Sequence, residues 1–303
     1  MHKISLISVF LIFIFYFSGL HQFAFAEGQK DRKSGNSSDM DMLIGDVEAS
    51  LSQMDGVFGA FSTEMTPEDE YYLGRAVAAE IIKEYKPFIA SRKLTDYLNR
   101  ICMAITINSS RPTLFSGYYV EILDTDEICA FASSGGHIFV SRGLIKSAAS
   151  EDVLAAVIAH EVAHIQKRHI TAILSSERTI QELSSVSDRA TSIASRNLTE
   201  KERTVLFQES LSVYVNTLFR DGYSREQEFE ADKMAQELLF DAGYDPAALK
   251  EILEVLEKNT QPGNMSKTHP TPAMRMARLE SYKFATGRET RSVRRSRFNE
   301  AVK

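Results

Sequence analysis

The sequence contains little cysteine, no tryptophan and no excess of positive charge. Among its 303 residues there are two cysteines, and 41 acidic side chains outnumber 35 basic ones. Neither cysteine has a second cysteine at the spacing of a metal-binding pair, so a cysteine-based zinc site is not expected. The formal net charge of −6 gives no general signal for nucleic-acid binding, and nucleic acid is not an expected partner.

The two cysteines, Cys102 and Cys129, leave their redox state open. In an oxidising compartment, a single disulfide between them is one alternative. Two separate buried thiols are the other, because cysteine is among the most buried residue types.

Long apolar runs are also scarce, with one exception at the N-terminus. Residues 4–20 are almost wholly apolar and follow Lys3, and Ala24 and Ala26 occupy the −3 and −1 positions of a signal-peptidase site. This pattern predicts a signal peptide over residues 1–26 and a periplasmic protein. The alternative is an uncleaved anchor, because the 17-residue run approaches the length that crosses a bilayer. No later run reaches that length, so no further span is expected.

Composition divides the rest of the chain into three parts. Residues 27–65 are rich in Ser, Gly, Asp and Met with weak periodicity, which predicts a flexible linker. The folded domain is expected over residues 66–285. Residues 286–303 carry an arginine cluster and are predicted to form a disordered, solvated basic tail. A contact of this tail with anionic lipid or an acidic partner is the alternative.

Within the domain, helical periodicity dominates and one short region is rich in β-formers. Helices are predicted from Thr66, around residues 94–105, and after the capping residue Ser150. Residues 118–123 and 136–140 are rich in β-branched and aromatic side chains, which predicts strands of one sheet. We therefore expect a mainly helical α+β fold with a small β-sheet.

The segment AAVIAHEVAHIQKRH, residues 155–169, places polar groups inside an apolar helical run. His160 and His164 are four positions apart, so their imidazoles lie one turn apart on one face and can converge on a metal ion. Glu161 then sits beside the metal, where it can take a proton from a water molecule that the metal activates. The alternative is a helix face whose polar groups are satisfied without a metal.

A catalytic zinc ion usually takes three protein ligands, so a third ligand is required. His169 follows nine positions after His160, which on a continuous helix directs it to the opposite face. The extended motif with a third histidine also needs Gly at 167 and His at 170, where this chain has Lys167 and Ile170. We predict that His169 is a structural hydrogen-bonding residue.

The downstream segment SREQEFEADKMA supplies acidic candidates. Glu228 and Asp232 are four positions apart on one helix face, so Glu228 can bind the metal while Asp232 accepts a hydrogen bond from a ligand imidazole. Glu226 and Glu230 are predicted to lie on a different, exposed face.

These elements resemble the zinc metallopeptidase family that includes the CAAX prenyl endopeptidase and HtpX, and within it the soluble periplasmic proteases of BepA and YcaL type. The segments HEVAHIQKRH, EFEAD, AFASSGGHIFVSRGLI and THPTPAMRMARL are similar to four elements of that family in the same order. The resemblance covers roughly residues 66–285. It implies a gluzincin-type domain holding one zinc ion per chain through His160, His164 and Glu228, with Asp232 in support.

The resemblance also implies substrate contacts. It implies that an edge strand lies beside the zinc ion and can pair with an extended peptide. The residues of this strand are Gly136, His137, Ile138, Phe139 and Val140. The resemblance brings the His-Pro motif to the active site, which makes His269 and Arg275 candidates for stabilising the oxyanion. Alternatively, His269 binds the zinc ion and keeps the enzyme inactive. A loop histidine and a surface arginine are the simpler interpretations.

The implied function is a zinc endopeptidase of envelope protein quality control. Unfolded or misfolded polypeptides are the expected partners, and the outer-membrane assembly machinery or the membrane surface are further candidates. A non-catalytic or latent metal-binding chaperone is the alternative, although an intact Glu161 favours catalysis.

Overall fold

The computed structural model of the chain describes residues 66–174, 222–259, 270–279 and 288–302, with six positions between 201 and 216. The predicted signal peptide, the predicted linker and His269 lie outside the described residues. The described elements are, in chain order, α1 (Pro67–Tyr85), α2 (Arg92–Thr106), β1 (Tyr119–Leu123), β2 (Ala130–Ala132), β3 (His137–Ser141), α3 (Arg142–Ser147), α4 (Glu151–Gln166), α5 (His169–Leu174), α6 (Arg225–Asp241), α7 (Ala248–Asn259), α8 (Pro272–Met276) and α9 (Arg288–Val302).

This mainly helical α+β arrangement is the one that the sequence predicts. Among the described helices, none combines the length and the apolar character that a membrane span requires.

Helix α4 is the central element of the domain. The Ser150 hydroxyl caps it by accepting a hydrogen bond from the backbone N–H of Val153 at 3.3 Å. Nearly every side chain of α4 is buried, on all sides, because α2, α6, α7 and the sheet pack around it. Polar groups on this helix therefore lie in the interior of the molecule.

The three strands form a mixed sheet in the order β1, β3, β2. Strand β3 pairs parallel with β1 on one side and antiparallel with β2 on the other. The prediction that residues 136–140 form an edge strand is therefore wrong. In the central strand lie His137, Ile138, Phe139 and Val140, and Gly136 belongs to the preceding 3₁₀ turn. Side-chain alternation identifies a strand but does not reveal its neighbours, and β2 is only three residues long.

The outer edge of β1 is covered by groups that are not strands. The Asn99 side chain donates to the carbonyl of Val120 at 2.7 Å and accepts from its N–H at 2.9 Å, so one amide replaces a neighbouring strand. The N–H of Phe88 donates to the carbonyl of Ile122 at 2.7 Å. Within the described chain, β2 forms the other edge of the sheet.

Two glycines let the turn before β3 pack against its neighbours. Gly135 and Gly136 have φ of 74° and 103°, in the left-handed region that glycine tolerates. A Cβ on Gly135 would lie 2.3 Å from Cα of Tyr71, and one on Gly136 would lie 2.1 Å from the carbonyl oxygen of Gly117. The Gly-Gly pair is thus required by close backbone packing.

The described part of the predicted basic tail, residues 288–302, is not disordered, contrary to the prediction, because α9 packs against α2 and α4. Arg294 donates to Asp152 at 2.6 Å and Arg297 donates to Glu151 at 3.0 Å. Phe298 is buried in the core. The acidic partners lie 142 and 146 positions earlier in the chain, so the local arginine pattern could not reveal them.

Both cysteines are free thiols. Cys102 is buried and Cys129 is partly exposed. Burial raises the pKa of the Cys102 thiol to about 12 and that of Cys129 to about 11, so both stay protonated at neutral pH.

Candidate metal centre

The two histidines of α4 converge within the interior. Nε2 of His160 lies 3.0 Å from Nε2 of His164, as expected for positions one helical turn apart. The His164 side chain is completely shielded from solvent, and that of His160 is nearly so. Two imidazole nitrogens thus face each other in a place where water has little access.

Helix α6 brings a carboxylate to the same point. Its N-terminus is fixed by a capping box, in which Ser224 and Gln227 exchange side-chain and backbone hydrogen bonds. One turn further on, a carboxylate oxygen of Glu228 lies 3.5 Å from Nε2 of His160, and the other lies 4.0 Å from Nε2 of His164.

The chemistry of this donor set fits zinc. Among the described residues, His160, His164 and Glu228 offer one ligand atom each, and these atoms lie within 4.8 Å of one another. Two imidazole nitrogens and one carboxylate oxygen are the ligand set of a catalytic zinc ion that keeps a position for water. The two Nε2 atoms lie close together, and when both rings are neutral at most one of them can donate a hydrogen bond to the other. A cation bound by both nitrogens would also account for this close approach.

Asp232 supports His160 as its spacing suggests. Its carboxylate lies 3.1 Å from Nδ1 of His160, so an Nδ1–H donates to Asp232 and leaves Nε2 free for a metal. Burial alone would raise the pKa of Asp232, but Arg275 and His160 hold it below its usual range.

Arg275, on the short helix α8, lies inside the cluster and is not a surface residue. Its Nε donates to Asp232 at 2.8 Å, and Nη1 lies 3.0 Å from Glu228. Although burial would raise the pKa of Glu228, Arg275 and the imidazoles hold it well below the usual range. Arg275 thus keeps both carboxylates ionised, and its role towards an oxyanion stays a prediction.

Glu161 lies in the same cleft. Burial, as the largest cause, raises its pKa to about 7, and the charge of Glu228 acts in the same direction, whereas His160 and Arg275 oppose the shift. A carboxyl group with a pKa near neutrality can both accept and return a proton, which suits a general base.

The cleft around these groups has a volume of about 320 Å³. Its walls are mainly apolar and come from strand β2 with its preceding loop and from α7, with Ile128, Phe131, Ala132, Leu249, Leu253 and Leu256 among the lining residues. The strand predicted to line it, residues 136–140, lies one strand away in the sheet. Within the described chain, β2 is the strand beside the candidate centre.

Two further aromatic contacts were not predicted from the sequence. The ring of Tyr223 stacks on His164, with centroids 3.7 Å apart. Nδ1 of His169 lies 3.0 Å from Nδ1 of His164, because α4 ends at Gln166 and the chain turns back. The predicted hydrogen-bonding character of His169 agrees with this contact, but its predicted direction, away from the histidine face, is wrong.

Comparison with known sequence families agrees with the donor set of the candidate centre. The sequence model of peptidase family M48 matches residues 92–283. This match contains every described residue of the candidate centre.

Three curated relatives share part of the chain. The beta-barrel assembly-enhancing protease of Escherichia coli (strain K12) is 26% identical over 200 residues, which are 63% of this chain and 39% of the relative. The mitochondrial metalloendopeptidase OMA1 of Schizosaccharomyces pombe is 26% identical over 211 residues, 67% of this chain and 58% of the relative. OMA1 of Arabidopsis thaliana is 30% identical over 159 residues, 50% of this chain and 29% of the relative. The chain thus spans less than two thirds of the length of each.

Proposed function

Because the chain belongs to peptidase family M48, it is a zinc metalloprotease, and we propose that it hydrolyses peptide bonds of unfolded or misassembled envelope proteins with Glu161 as general base. The observation that carries the proposal is the position of Glu161 in one cleft with His160, His164 and Glu228. A base beside three converging metal ligands is the arrangement that water-activating hydrolysis requires.

The proposed mechanism divides the work among these side chains. One zinc ion bound by His160, His164 and Glu228 would polarise the scissile carbonyl and lower the pKa of a water molecule towards ~7. Glu161 accepts the proton of the attacking water and returns it to the leaving nitrogen. Asp232 and Arg275 keep the ligands ionised and oriented.

The proposed substrate is an extended chain. Strand β2, residues 130–132, is an edge strand beside the cleft, and an extended peptide can pair with an edge strand through its own backbone. Pairing of this kind is largely independent of sequence but requires that the substrate be unfolded. This edge takes the role that the sequence resemblance assigned to residues 136–140.

The cellular setting is likewise proposed. The name of the Escherichia coli relative refers to β-barrel assembly, which supports substrates in the envelope and contact with the outer-membrane assembly machinery. The N-terminal sequence pattern supports export to the periplasm.

The test is digestion of unfolded casein by the purified protein beside its Glu161→Gln variant, with zinc content measured for both. We expect cleavage by the wild type alone and about one zinc ion in each, because the substitution removes the base and keeps the ligands. Equal cleavage by both would reject Glu161 as the base.

A latent enzyme and a non-catalytic binding protein would both leave casein uncut while binding zinc. His269→Ala separates them. Cleavage that begins with this substitution identifies an enzyme that His269 holds inactive, whereas continued inactivity identifies the binding protein.

A further inference from the structure

The chain makes an abrupt turn directly after the histidine pair. Helix α4 ends at Gln166, and Arg168 then adopts φ of 56°, which is uncommon for a residue with a side chain. Nε of Arg168 lies 2.7 Å from the carboxylate of Glu70, a residue of α1 that is only 5% exposed. This ion pair holds the turn that starts α5 at His169.

The turn brings His169 back onto α4. Nδ1 of His169 lies 3.0 Å from Nδ1 of His164, and its Nε2 lies 3.2 Å from a carboxylate oxygen of Glu230 on α6. The other oxygen of Glu230 accepts from Lys167 at 2.7 Å. Four side chains thus form one continuous hydrogen-bonded series that begins at a candidate metal ligand.

The series permits one arrangement of protons when His164 binds a metal through Nε2. Its Nδ1 must then carry the proton and donate, so Nδ1 of His169 must accept. His169 consequently carries its own proton on Nε2, where the Glu230 carboxylate accepts it. The acceptor-only carboxylate at the end of the series therefore determines the tautomer of both rings.

We propose that His169 is a positioning residue that fixes the tautomer and orientation of His164 for metal binding, and that Glu230 orients His169 through its outer nitrogen. The inference rests on the proposed zinc site. The two histidine ligands then have different supports. The Asp232 carboxylate contacts His160 directly, whereas the His169 imidazole lies between His164 and the Glu230 carboxylate. Outer hydrogen-bond partners of ligand histidines commonly strengthen metal binding.

Two substitutions at one position separate this role from packing. In His169→Asn, the amide oxygen takes the place of Nδ1 and can still accept from His164. In His169→Gln, the amide nitrogen takes the place of Nε2 and the acceptor towards His164 is lost. Zinc affinity of the full chain, purified as the cell processes it, is measured by competition with a chromophoric chelator. We expect affinity roughly 10- to 100-fold weaker for His169→Gln and a clearly smaller loss for His169→Asn.

The exposed end of the series provides a second test that does not disturb the core. Glu230→Leu removes the final acceptor, and we expect zinc affinity to fall about 10-fold. Glu226→Leu, one turn earlier on the same helix and also exposed, is the matched control and should leave the affinity unchanged. Melting temperatures of the metal-free proteins report any general loss of structure.

The outcomes distinguish this inference from the proposed function. Wild-type protein that binds no zinc overturns the metal site itself, and the inference with it. Wild-type binding with equal affinities for His169→Asn and His169→Gln, or for Glu230→Leu and Glu226→Leu, leaves the zinc site standing and overturns the positioning role.

Discussion

The two ends of α4 both carry buried charge, but they balance it differently. At the N-terminal end, Glu151 and Asp152 meet Arg297 and Arg294 of α9, so two carboxylates face two guanidinium groups. The Glu151 carboxylate also accepts a hydrogen bond from Tyr97 at 3.0 Å. The acidic residues lie in the first turn of the helix, where its dipole also favours negative charge. The two carboxylates at this end are therefore neutralised by cations of the protein itself.

At the other end, the ionised carboxylates of Glu228 and Asp232 face the guanidinium of Arg275, so one negative charge remains when the imidazoles are neutral, and a second when Glu161 loses its proton. Burial and Arg275 lower the pKa of His160, but Asp232 and Glu228 outweigh them and raise it to about 9, so this imidazole takes up a proton where a divalent cation would supply the positive charge. Burial of uncompensated charge is costly. The comparison teaches that a helix can hold one acidic cluster for stability and another for metal binding, and that the difference lies in the number of internal cations.

The largest effect is expected from a substitution that affects only the metal-binding end of α4. Glu228→Gln keeps the side-chain shape but removes a ligand, and we expect peptidase activity to fall at least roughly 10³-fold because metal catalysis supplies several kcal/mol. Casein digestion and bound zinc are measured together. Glu226→Gln, on the exposed face of the same helix, should retain both. Activity that persists without bound zinc would contradict the charge argument.

Removal of the metal should destabilise the protein without any substitution. Zinc that binds only the folded state stabilises it by about 3 kcal/mol when free zinc is 100 times its dissociation constant. A chelator should therefore lower the melting temperature measured by calorimetry, and added zinc should restore it. Glu228→Gln is the control, because its melting temperature should respond little to either addition.

The N-terminal end should show the opposite behaviour. Arg297→Met leaves the Glu151 carboxylate, which is 1% exposed, without its cation, and we expect a loss of about 2 kcal/mol in the free energy of unfolding. Zinc affinity should stay unchanged. Arg295→Met, on the same helix and exposed, should cost far less. Denaturant titration measures both variants, and equal stabilities would show that the α9 ion pair contributes nothing.

A smaller change sharpens the same point. Tyr97→Phe removes one hydrogen bond to Glu151 while the ring stays buried, and we expect a loss of about 1 kcal/mol. Tyr119→Phe, at a half-exposed residue whose hydroxyl lies 3.5 Å from that of Ser116, is the control. A combined Tyr97→Phe, Arg297→Met variant should lose more or less than the sum, because both groups contact one carboxylate.

The sequence was most informative where a helix carries the chemistry. Positions four apart share a helix face, so spacing within α4 and α6 was enough to predict that His160 and His164 converge, and that Asp232 lies one turn from Glu228. The prediction that these two helices meet came from the family resemblance. Nothing in local spacing relates α4, which ends at Gln166, to a helix that begins at Arg225.

Other features depended on contacts that local patterns do not contain. Residues 137–140 lie in the centre of the sheet, because β1, which precedes them in the chain, pairs parallel with β3 on the side opposite β2. The arginines of α9 looked solvated because their carboxylate partners belong to α4. His169 was assigned to the wrong direction because a continuous helix was assumed, whereas the left-handed backbone of Arg168 ends it.

The Asn99 amide that covers β1 has a consequence for self-association. A sheet grows into a filament only if each copy offers two open borders, one to receive a strand and one to present it. In the described sheet the β1 border is occupied by Asn99, so two copies that paired through β2 would leave only their β1 borders, which Asn99 already occupies. Association of two copies through β2 would therefore end at a closed pair, and the edge proposed to receive unfolded polypeptides would not template a fibre of the protease itself.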